Sequence, residues 1–526
     1  MRTIDLVLTN RYQDSVTLMQ VAIAVRGIPG IDDASLVMGT EPNKELLREA
    51  GLLTAEGEAA GPNDLIVALR GGDEGIAAAQ QQIERLLQAE APASARQREA
   101  APRTLAVGLE ALPQANFVLI STPGVYAAAE ARKALQLDRH VMIFSDHVSL
   151  EDELALKELA ARRGLFLLGP DCGTAIIGGV PLGFANAVRR GSIGIVGASG
   201  TGIQEIATLI DRYGQGISHA IGTGSRDLSR EIGGSATLSA LAALGDDPST
   251  SVIVLVSKPP HPDVAARVLE VAANCGKPIV VAFVGADPQS MGSAVSYGES
   301  GAPAPVFVST LEEAARRAVE LSTGTPPAVE SIDMSAVREI AGRLAPQQRY
   351  VRGLFSGGTL CYEAQLILRR ALGEVRSNAP LAPELALEHT SRSIGHTCLD
   401  LGADEFTTGR PHPMIDMTLR LERIKAEAAD PEVAVLLLDV VLGYGAHPDP
   451  ASVLAPAIEA VLAAASGRPP VVVVSVCGAH SDPQGLDVQR RRLAAAGAIL
   501  ASSNAAAARL AAAVAAREPQ LAAPQQ

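Results

Sequence analysis

The chain has 526 residues, 47% of them hydrophobic, with 49 glycines and a formal net charge of −14. Its length predicts about three or four domains with ample material for buried cores. The negative charge, the absence of tryptophan and an aromatic content of 3% exclude a nucleic-acid surface of basic stripes and stacking platforms, so anions must be bound locally.

Residues 3–9, 31–38 and 64–69 have the character of strands, and 13–26 and 74–88 have helical spacing. Together they predict a small α+β unit, ferredoxin/ACT-like, over 1–90, and the Ala/Pro/Arg/Gln stretch 91–103 reads as a linker. From Thr104 buried strands alternate with helices, as in a doubly wound parallel sheet. Phe117–Ser121, Val141–Ser145 and Leu165–Leu168 are strands, and the last runs into the small, rigid turn Gly169-Pro170-Asp171-Cys172-Gly173-Thr174. This unit spans 104–189. A second α/β unit over 190–322 continues through 219–222, 252–257, 278–284 and 305–308, and a third over 349–517 contains 433–441, 470–476 and the alanine-rich helix 504–516. Residues 322–349, with Pro326-Pro327 and a short helix, link the two, and the Pro/Gln tail is expected to be disordered. The fold class is therefore α/β, with tandem doubly wound sheets behind a small α+β domain.

Both later units open in the same way. An apolar strand at 192–197 runs into Ala198-Ser199-Gly200-Thr201-Gly202, then into a helix that carries Glu205. The order returns at 351–363 with Ser356-Gly357-Gly358-Thr359 and Glu363, an offset of 158 residues between Gly200 and Gly358. Small residues let the backbone approach a ligand, and a helix start offers unpaired N–H groups and a positive dipole end. Residues 199–202 and 356–359 are thus candidate phosphate-binding cradles, two helix starts from two domains facing one anion. Gly200-Thr201-Gly202 is not completed as a dinucleotide fingerprint, since position 205 is Glu.

Other candidates cluster on loops. Segment 400–416 holds Asp400, Glu405, Arg410 and His412; Arg410 can pair bidentately with an oxyanion and His412 can relay a proton, unless the segment is simply a solvated loop. After the apolar strand 433–441 come Gly443-Tyr444-Gly445 and then His447 and Asp449, placed to orient a substrate or to form a rigid turn in which Asp449 caps the next helix. Asp171 and Cys172 lie in a turn tight enough to line a substrate, although Cys172 lacks a flanking His or Lys and reads as a small buried thiol rather than a nucleophile. Lys258, His261 and His480 read as surface or loop residues. Five scattered cysteines without CxxC spacing indicate neither a disulfide framework nor a metal site, and predict a reducing cytoplasmic setting. The amino terminus lacks the apolar region of a signal peptide, and no run of about 18 apolar residues predicts a membrane span.

Over roughly residues 100–515 the order of motifs resembles the succinyl-CoA synthetase superfamily, the NDP-forming acyl-CoA ligases, and within it most closely the FdrA family. The residues that carry the resemblance are Gly169-Pro170-Asp171-Cys172-Gly173, for a "GPNCxG" turn, and Gly191 through Val196 with Ser199-Gly200-Thr201, for "GxIGIVSxSGT". The second cradle, Leu399-Asp400-Leu401-Gly402 and Asp439 through Gly445 are similar to the carboxy-terminal domain of the β-subunit. The resemblance implies a CoA-binding Rossmann-like domain over 104–189 and two flavodoxin-like ligase domains over 190–322 and 349–517. In that superfamily the two cradle helices point at a phosphohistidine in an "RxMGHAGA" segment. The matching stretch here is Gln289-Ser290-Met291-Gly292-Ser293-Ala294-Val295, with Ser293 in place of the histidine, and no ATP-grasp region is recognisable. The FdrA resemblance implies a subunit of an oxamate carbamoyltransferase-like complex in allantoin degradation, with carbamoyl phosphate as substrate and companion subunits as partners. An acyl-CoA synthetase with CoA as ligand is the alternative, and a non-catalytic scaffold subunit the third reading.

Overall fold

The computed structural model describes residues 2–11, 13, 15–89, 102, 104–287, 291, 303–328, 332–407, 410–464 and 468–523. They form two compact units, Met1–Arg103 with Thr407–Pro411, and Thr104–Phe406 with His412–Gln526.

The first unit is built on a three-stranded antiparallel sheet with Leu65–Gly71 between Arg2–Leu8 and Ile31–Met38. Alternate side chains of a strand point to opposite faces, and here both faces are covered. Leu65, Val67 and Leu69 pack with Leu18, Val25, Ile76 and Ile83 from the long helices Ser15–Arg26 and Asp73–Ala89. Ile66 and Ala68 pack with Leu47, Leu52 and Ala60 on the other side.

The second unit holds three sheets. Phe117–Ile120, His140–Ile143 and Leu167–Leu168 form a short parallel sheet. The helix Leu150–Arg163 is bounded at its start by Ser149, whose Oγ accepts the Asp152 N–H, and at its end by Gly164, which turns the chain at φ 64°. The next sheet has seven strands in the order Val306–Phe307, Ile279–Phe283, Val252–Ser257, Arg190–Gly197, Ile217–Gly222, Thr174–Ile177 and Val180–Gly183. Its first five strands are parallel, while Thr174–Ile177 and Val180–Gly183 add an antiparallel hairpin. Alternation of strand and helix did not foretell that hairpin. Its two-residue turn is Gly178-Gly179, at φ 60° and 87°, values that glycine adopts without steric cost.

The last sheet is wholly parallel, in the order Val375–Ser377, His396–Asp400, Tyr350–Phe355, Val433–Val441, Val471–Cys477 and Ile499–Ala501. Every residue of Val433–Val441 is buried, as expected of a central strand covered on both faces. One continuous core joins this sheet to the seven-stranded one: Ile195, Ile206 and Leu311 belong to the same packed cluster as Phe355, Leu360 and Leu510. The cradle helices Gly200–Arg212 and Gly358–Leu372 thus start at the carboxyl ends of Arg190–Gly197 and Tyr350–Phe355, the edge at which open α/β sheets bind ligands.

Candidate functional site

At the first cradle Ser199 is extended and its Oγ accepts the Gly202 N–H at 3.0 Å, so the side chain caps the helix. At the second, Gly357 occupies the cap position and no side chain caps the helix. A carboxylate from a neighbouring strand organises it instead. Asp439 accepts the N–H groups of Ser356 at 2.8 Å and Gly357 at 2.9 Å, and the Ser356 hydroxyl at 3.0 Å. Asp439 is in turn paired with Arg420 at 2.8 Å, and neither side chain is exposed.

The two cradles meet. Ser199 Oγ and Thr359 Oγ1 share a hydrogen bond of 2.6 Å across 160 residues of sequence. Ser199, Thr201, Ser356 and Thr359 are all buried. Among the described residues no hydrogen bond ends on the backbone N–H of Gly200, Thr201, Gly358 or Thr359. Two helix starts therefore bring unpaired donors and hydroxyls to one place, while the N–H groups of Ser356 and Gly357 are already spent on Asp439.

Acidic and basic side chains border the second helix start. A Cβ on Gly358 would lie 2.6 Å from Asp400 Oδ2, so only glycine leaves room for that carboxylate. Asp400 Oδ1 accepts the Gly402 N–H at 3.0 Å. Burial raises Asp400 to about 6 against the opposing pull of Lys258. Lys258 is exposed, with its ammonium 5.5 Å from the centre of the Tyr362 ring.

His412 also reaches this edge. Its Nδ1 accepts the Met414 N–H at 3.2 Å, which assigns the proton of the neutral ring to Nε2, and its ring lies 5.6 Å from that of Phe184. A Cβ on Gly402 would lie 2.7 Å from Nε2, next to the backbone that holds Asp400. Burial lowers His412 to about 4, which keeps it neutral near pH 7.

The remaining sequence candidates are placed elsewhere. Arg410 is exposed and falls in Thr407–Pro411, grouped with the first unit. Glu405 is exposed on the short helix Asp404–Thr407. His447 donates its N–H to the Met414 carbonyl at 2.7 Å and accepts the Asp449 N–H at Nδ1, so it braces the loop that carries His412. The Asp449 carboxylate binds Arg492 at 2.5 Å and Gln489 at 3.0 Å, which ties it to the helix Leu486–Ala495 rather than to the cradles. Asp171 is exposed at φ 54°. Cys172 is buried, its Sγ donates to the Gly222 carbonyl at 3.2 Å, and burial pushes the thiol to about 12, so the structure gives it a packing role in place of the expected substrate contact. Ser293 lies outside the described residues.

Sequence reasoning passed over the Arg420–Asp439 pair. The available signal was Asp439 itself, a single acid in the apolar run Val-Ala-Val-Leu-Leu-Leu-Asp-Val-Val. It also passed over the buried acids Glu205 and Glu363 as helix caps: Glu205 Oε1 accepts the Asn504 N–H at 2.9 Å and Glu363 Oε1 the Leu311 N–H at 2.7 Å. Each acid caps a helix of the other repeat. Among the described residues, Asp146, His147 and Asp404 bring three ligand atoms within 4.8 Å of one another, all three exposed.

Family models match three stretches of the chain, and the CoA-binding match falls on the second α/β unit rather than 104–189, for which the resemblance implied it. A family model described as CoA-ligase matches residues 354–514, and one described as CoA binding domain matches 188–285, which begins at the strand before the first cradle. A third, described as AllF, heavy metal-associated domain, matches 1–103. Those residues contain neither cysteine nor histidine, so they lack the thiolate and imidazole donors of common heavy-metal sites. The Escherichia coli (strain K12) protein named "Uncharacterized protein YahF" is 44% identical over 494 residues, which covers 92% of this chain and 93% of that protein.

The chain belongs to the YahF family. This YahF-family member is also 28% identical over 192 residues to the alpha subunit of the ADP-forming succinate–CoA ligase of Methanothermobacter thermautotrophicus, covering 35% of this chain and 64% of that subunit. The match spans less than two thirds of the ligase subunit. A solved ATP citrate lyase from Methanothrix soehngenii, in complex with citrate and coenzyme A, is 18% identical over 44% of this chain and 43% of that chain, with a TM-score of 0.35. The YahF-family chain carries an acyl-CoA synthetase-like, succinyl-CoA ligase-like scaffold. Among its described residues no helix is long and apolar enough to cross a membrane.

Proposed function

We propose that the chain is an acyl-transferring enzyme of the acyl-CoA synthetase type, which holds an acyl phosphate between its two cradles. The observation that carries this reading is the Ser199–Thr359 contact, which sets two helix starts with unpaired N–H groups against each other. The phosphate is held by Gly200, Thr201, Gly358 and Thr359, with the hydroxyls of Ser199 and Thr359 turned to it once their mutual bond opens. A thiol as acceptor forms the new sulfur–carbon bond, the acyl carbon–oxygen bond breaks, and phosphate leaves. Asp400, with one oxygen free of hydrogen bonds among the described residues, takes the acceptor's proton, and neutral His412 donates from Nε2. The CoA-ligase and CoA-binding matches support CoA as that acceptor. Outside those two matches, Val125 and Tyr126, 78% and 56% exposed, start the helix Gly124–Gln136 at the carboxyl edge of the short parallel sheet and would offer an apolar surface to its adenine ring. The unpaired cysteines agree with a cytoplasmic setting.

A second reading is carbamoyl transfer from carbamoyl phosphate to oxamate by an FdrA-type subunit working with companion subunits. What favours it is Ser293 at the place of the phosphohistidine. Carbamoyl phosphate arrives already activated and needs no phosphocarrier, and a serine hydroxyl without an adjacent base is a poor one.

One assay separates the two. Phosphate release from carbamoyl phosphate is measured with and without oxamate, for the chain alone and copurified with companions, beside nucleotide-dependent thioester formation with CoA and succinate. Thioester formation supports the first reading. Oxamate-dependent phosphate release replaces it with the second, and neither activity in either preparation overturns both.

A further inference from the structure

Backbone N–H groups and hydroxyls line the phosphate site at the two cradles, and none of them carries a formal charge. Each helix start contributes roughly half a unit of positive charge. Two of them leave a phosphate dianion about half neutralised, and Asp400, which lies against Gly358, opposes the anion further when it is ionised. Arg420 does not supply the difference, because it is buried and paired with Asp439.

Lys258 stands where that charge is missing. It follows Val252–Ser257, the strand that runs parallel to Arg190–Gly197 with Val256 opposite Gly197. The Val256 carbonyl accepts the Ala198 N–H at 3.2 Å, and a Cβ on Gly202 would lie 3.2 Å from Val256 Cγ2. The strand end that carries Lys258 is therefore packed on the first cradle. Its side chain reaches the second, with the ammonium 5.5 Å from the centre of the Tyr362 ring, three residues after Thr359 on the helix Gly358–Leu372. Helical side chains lean towards the helix start, which brings that ring back over the first turn. A Cβ on Gly285, just past the strand Ile279–Phe283, would lie 3.0 Å from the same ring. Lysine and ring thus share the carboxyl edge of the seven-stranded sheet with the first cradle.

The lysine is also available. It is exposed, and among the described residues its ammonium makes no hydrogen bond and no ion pair. Its charge is nonetheless felt at Asp400, whose carboxyl group it draws downwards against the effect of burial. Pro259 and Pro260 follow it and stiffen the backbone, while a lysine stem of four carbons carries three rotatable donors.

We infer that Lys258 is the cation of the phosphate site: its ammonium moves from the Tyr362 ring onto the phosphate oxygens held by the cradles, and its charge makes the site one for a dianionic phosphate rather than a singly charged carboxylate. The inference rests on the reading of the cradles as that site. It adds to the backbone donors the one side chain that both cradles border.

The test is equilibrium dialysis of the full chain against radiolabelled inorganic phosphate at low and high salt, with succinate binding measured beside it. Wild type, Lys258→Met, Lys258→Arg and Thr359→Ala are compared; Lys258 is exposed, so methionine there leaves the core untouched. Lys258→Met is expected to bind phosphate about tenfold or more weakly and with a shallower dependence on salt, because a charge-assisted contact is removed. Lys258→Arg should keep most of the affinity, since it keeps the charge and the reach. Thr359→Ala is expected to weaken the same class of site and reports on the cradles independently. Weakening by Thr359→Ala but not by Lys258→Met leaves the cradles as a phosphate site and overturns the inference. Weakening by Lys258→Met alone puts its anion outside the cradles and overturns it too, as does a loss confined to succinate. Wild type that binds no phosphate removes the cradle reading and this inference together.

Discussion

Asp439 and Arg420 face each other at 2.8 Å with neither side chain exposed, and each also bonds to the second cradle or to the strand that leads into it. Asp439 holds the Ser356 and Gly357 N–H groups, while Arg420 Nη2 donates to the Leu354 carbonyl at 2.7 Å. Replacing Arg420 by Met should leave a buried carboxylate without its partner and cost about 3–5 kcal/mol. Urea denaturation of Arg420→Met measures this. A loss under about 1 kcal/mol would mean that the pair is not what holds the cradle.

The two repeats are joined by acids that resist ionisation. Glu363 is raised from 4.5 to about 7 by burial, against the pull of its bonds to Asn504 and the Leu311 N–H, and burial raises Glu205 as well. Between pH 4.5 and about 7 the folded chain keeps a proton on Glu363 that the unfolded chain has lost. Stability therefore falls as pH rises through that window, by roughly 3 kcal/mol from this group, and levels off above it. Glu363→Gln, which mimics the protonated acid, should flatten that part of the profile. Denaturation midpoints taken from pH 5 to about 8 test this, and an unchanged slope in the variant would show that Glu363 is ionised throughout.

The contact between Ser199 and Thr359 depends on a hydroxyl that only threonine or serine supplies at 359. Thr359→Ala should weaken phosphate binding at the cradle by about tenfold, and Thr359→Ser should restore most of it. Thr201→Ala should act in the same direction from the facing helix. Phosphate protection against thermal unfolding reads both effects. Equal protection of Thr359→Ala and wild type would remove the hydroxyl from the site.

Why the sequence revealed the cradles and not their supports follows from the range of the interactions involved. Ser199 as cap and the glycines around it are local features, since a strand followed by small residues and a helix is readable within about ten positions. The three strands and two long helices of the first unit were legible for the same reason: Leu65, Val67 and Leu69 alternate with Ile66 and Ala68, whereas the shorter helices Glu41–Glu49 and Ala55–Glu58 were not read. Asp439 acts on residues 82 and 83 positions away, and Glu205 caps Asn504 from 299 positions away. No period or spacing encodes such pairs. The hairpin Thr174–Gly183 was missed because its strands are only four residues each and follow a turn that draws attention to itself.

Gly358 offers a sharper test of the Asp400 assignment. A methyl group there would meet Asp400 Oδ2 at 2.6 Å, closer than real side-chain contacts allow. Gly358→Ala must displace the carboxylate from the helix start, whereas Asp400→Asn keeps its shape and removes its charge. Both should abolish most turnover if Asp400 accepts the proton, by about a hundredfold or more. Asp400→Asn alone should leave phosphate binding intact or tighter, because a negative charge has left the anion's surroundings. Single-turnover kinetics with direct binding separate these effects, and full turnover by Asp400→Asn would exclude it as the base.

The thiols provide a check that needs no substrate. Cys172, Cys361, Cys398 and Cys477 are buried, and Cys275 is only partly so. Burial raises all four enclosed thiols, Cys172 and Cys398 to about 12, so almost no thiolate forms on them near pH 8. Iodoacetamide reacts with thiolate and needs access, so the native chain should take up label at Cys275 alone, and at all five after denaturation. Mass spectrometry of the labelled protein reads this directly. Rapid labelling of Cys172 in the native state would place it in an open, activated setting and return it to the list of groups that touch substrate.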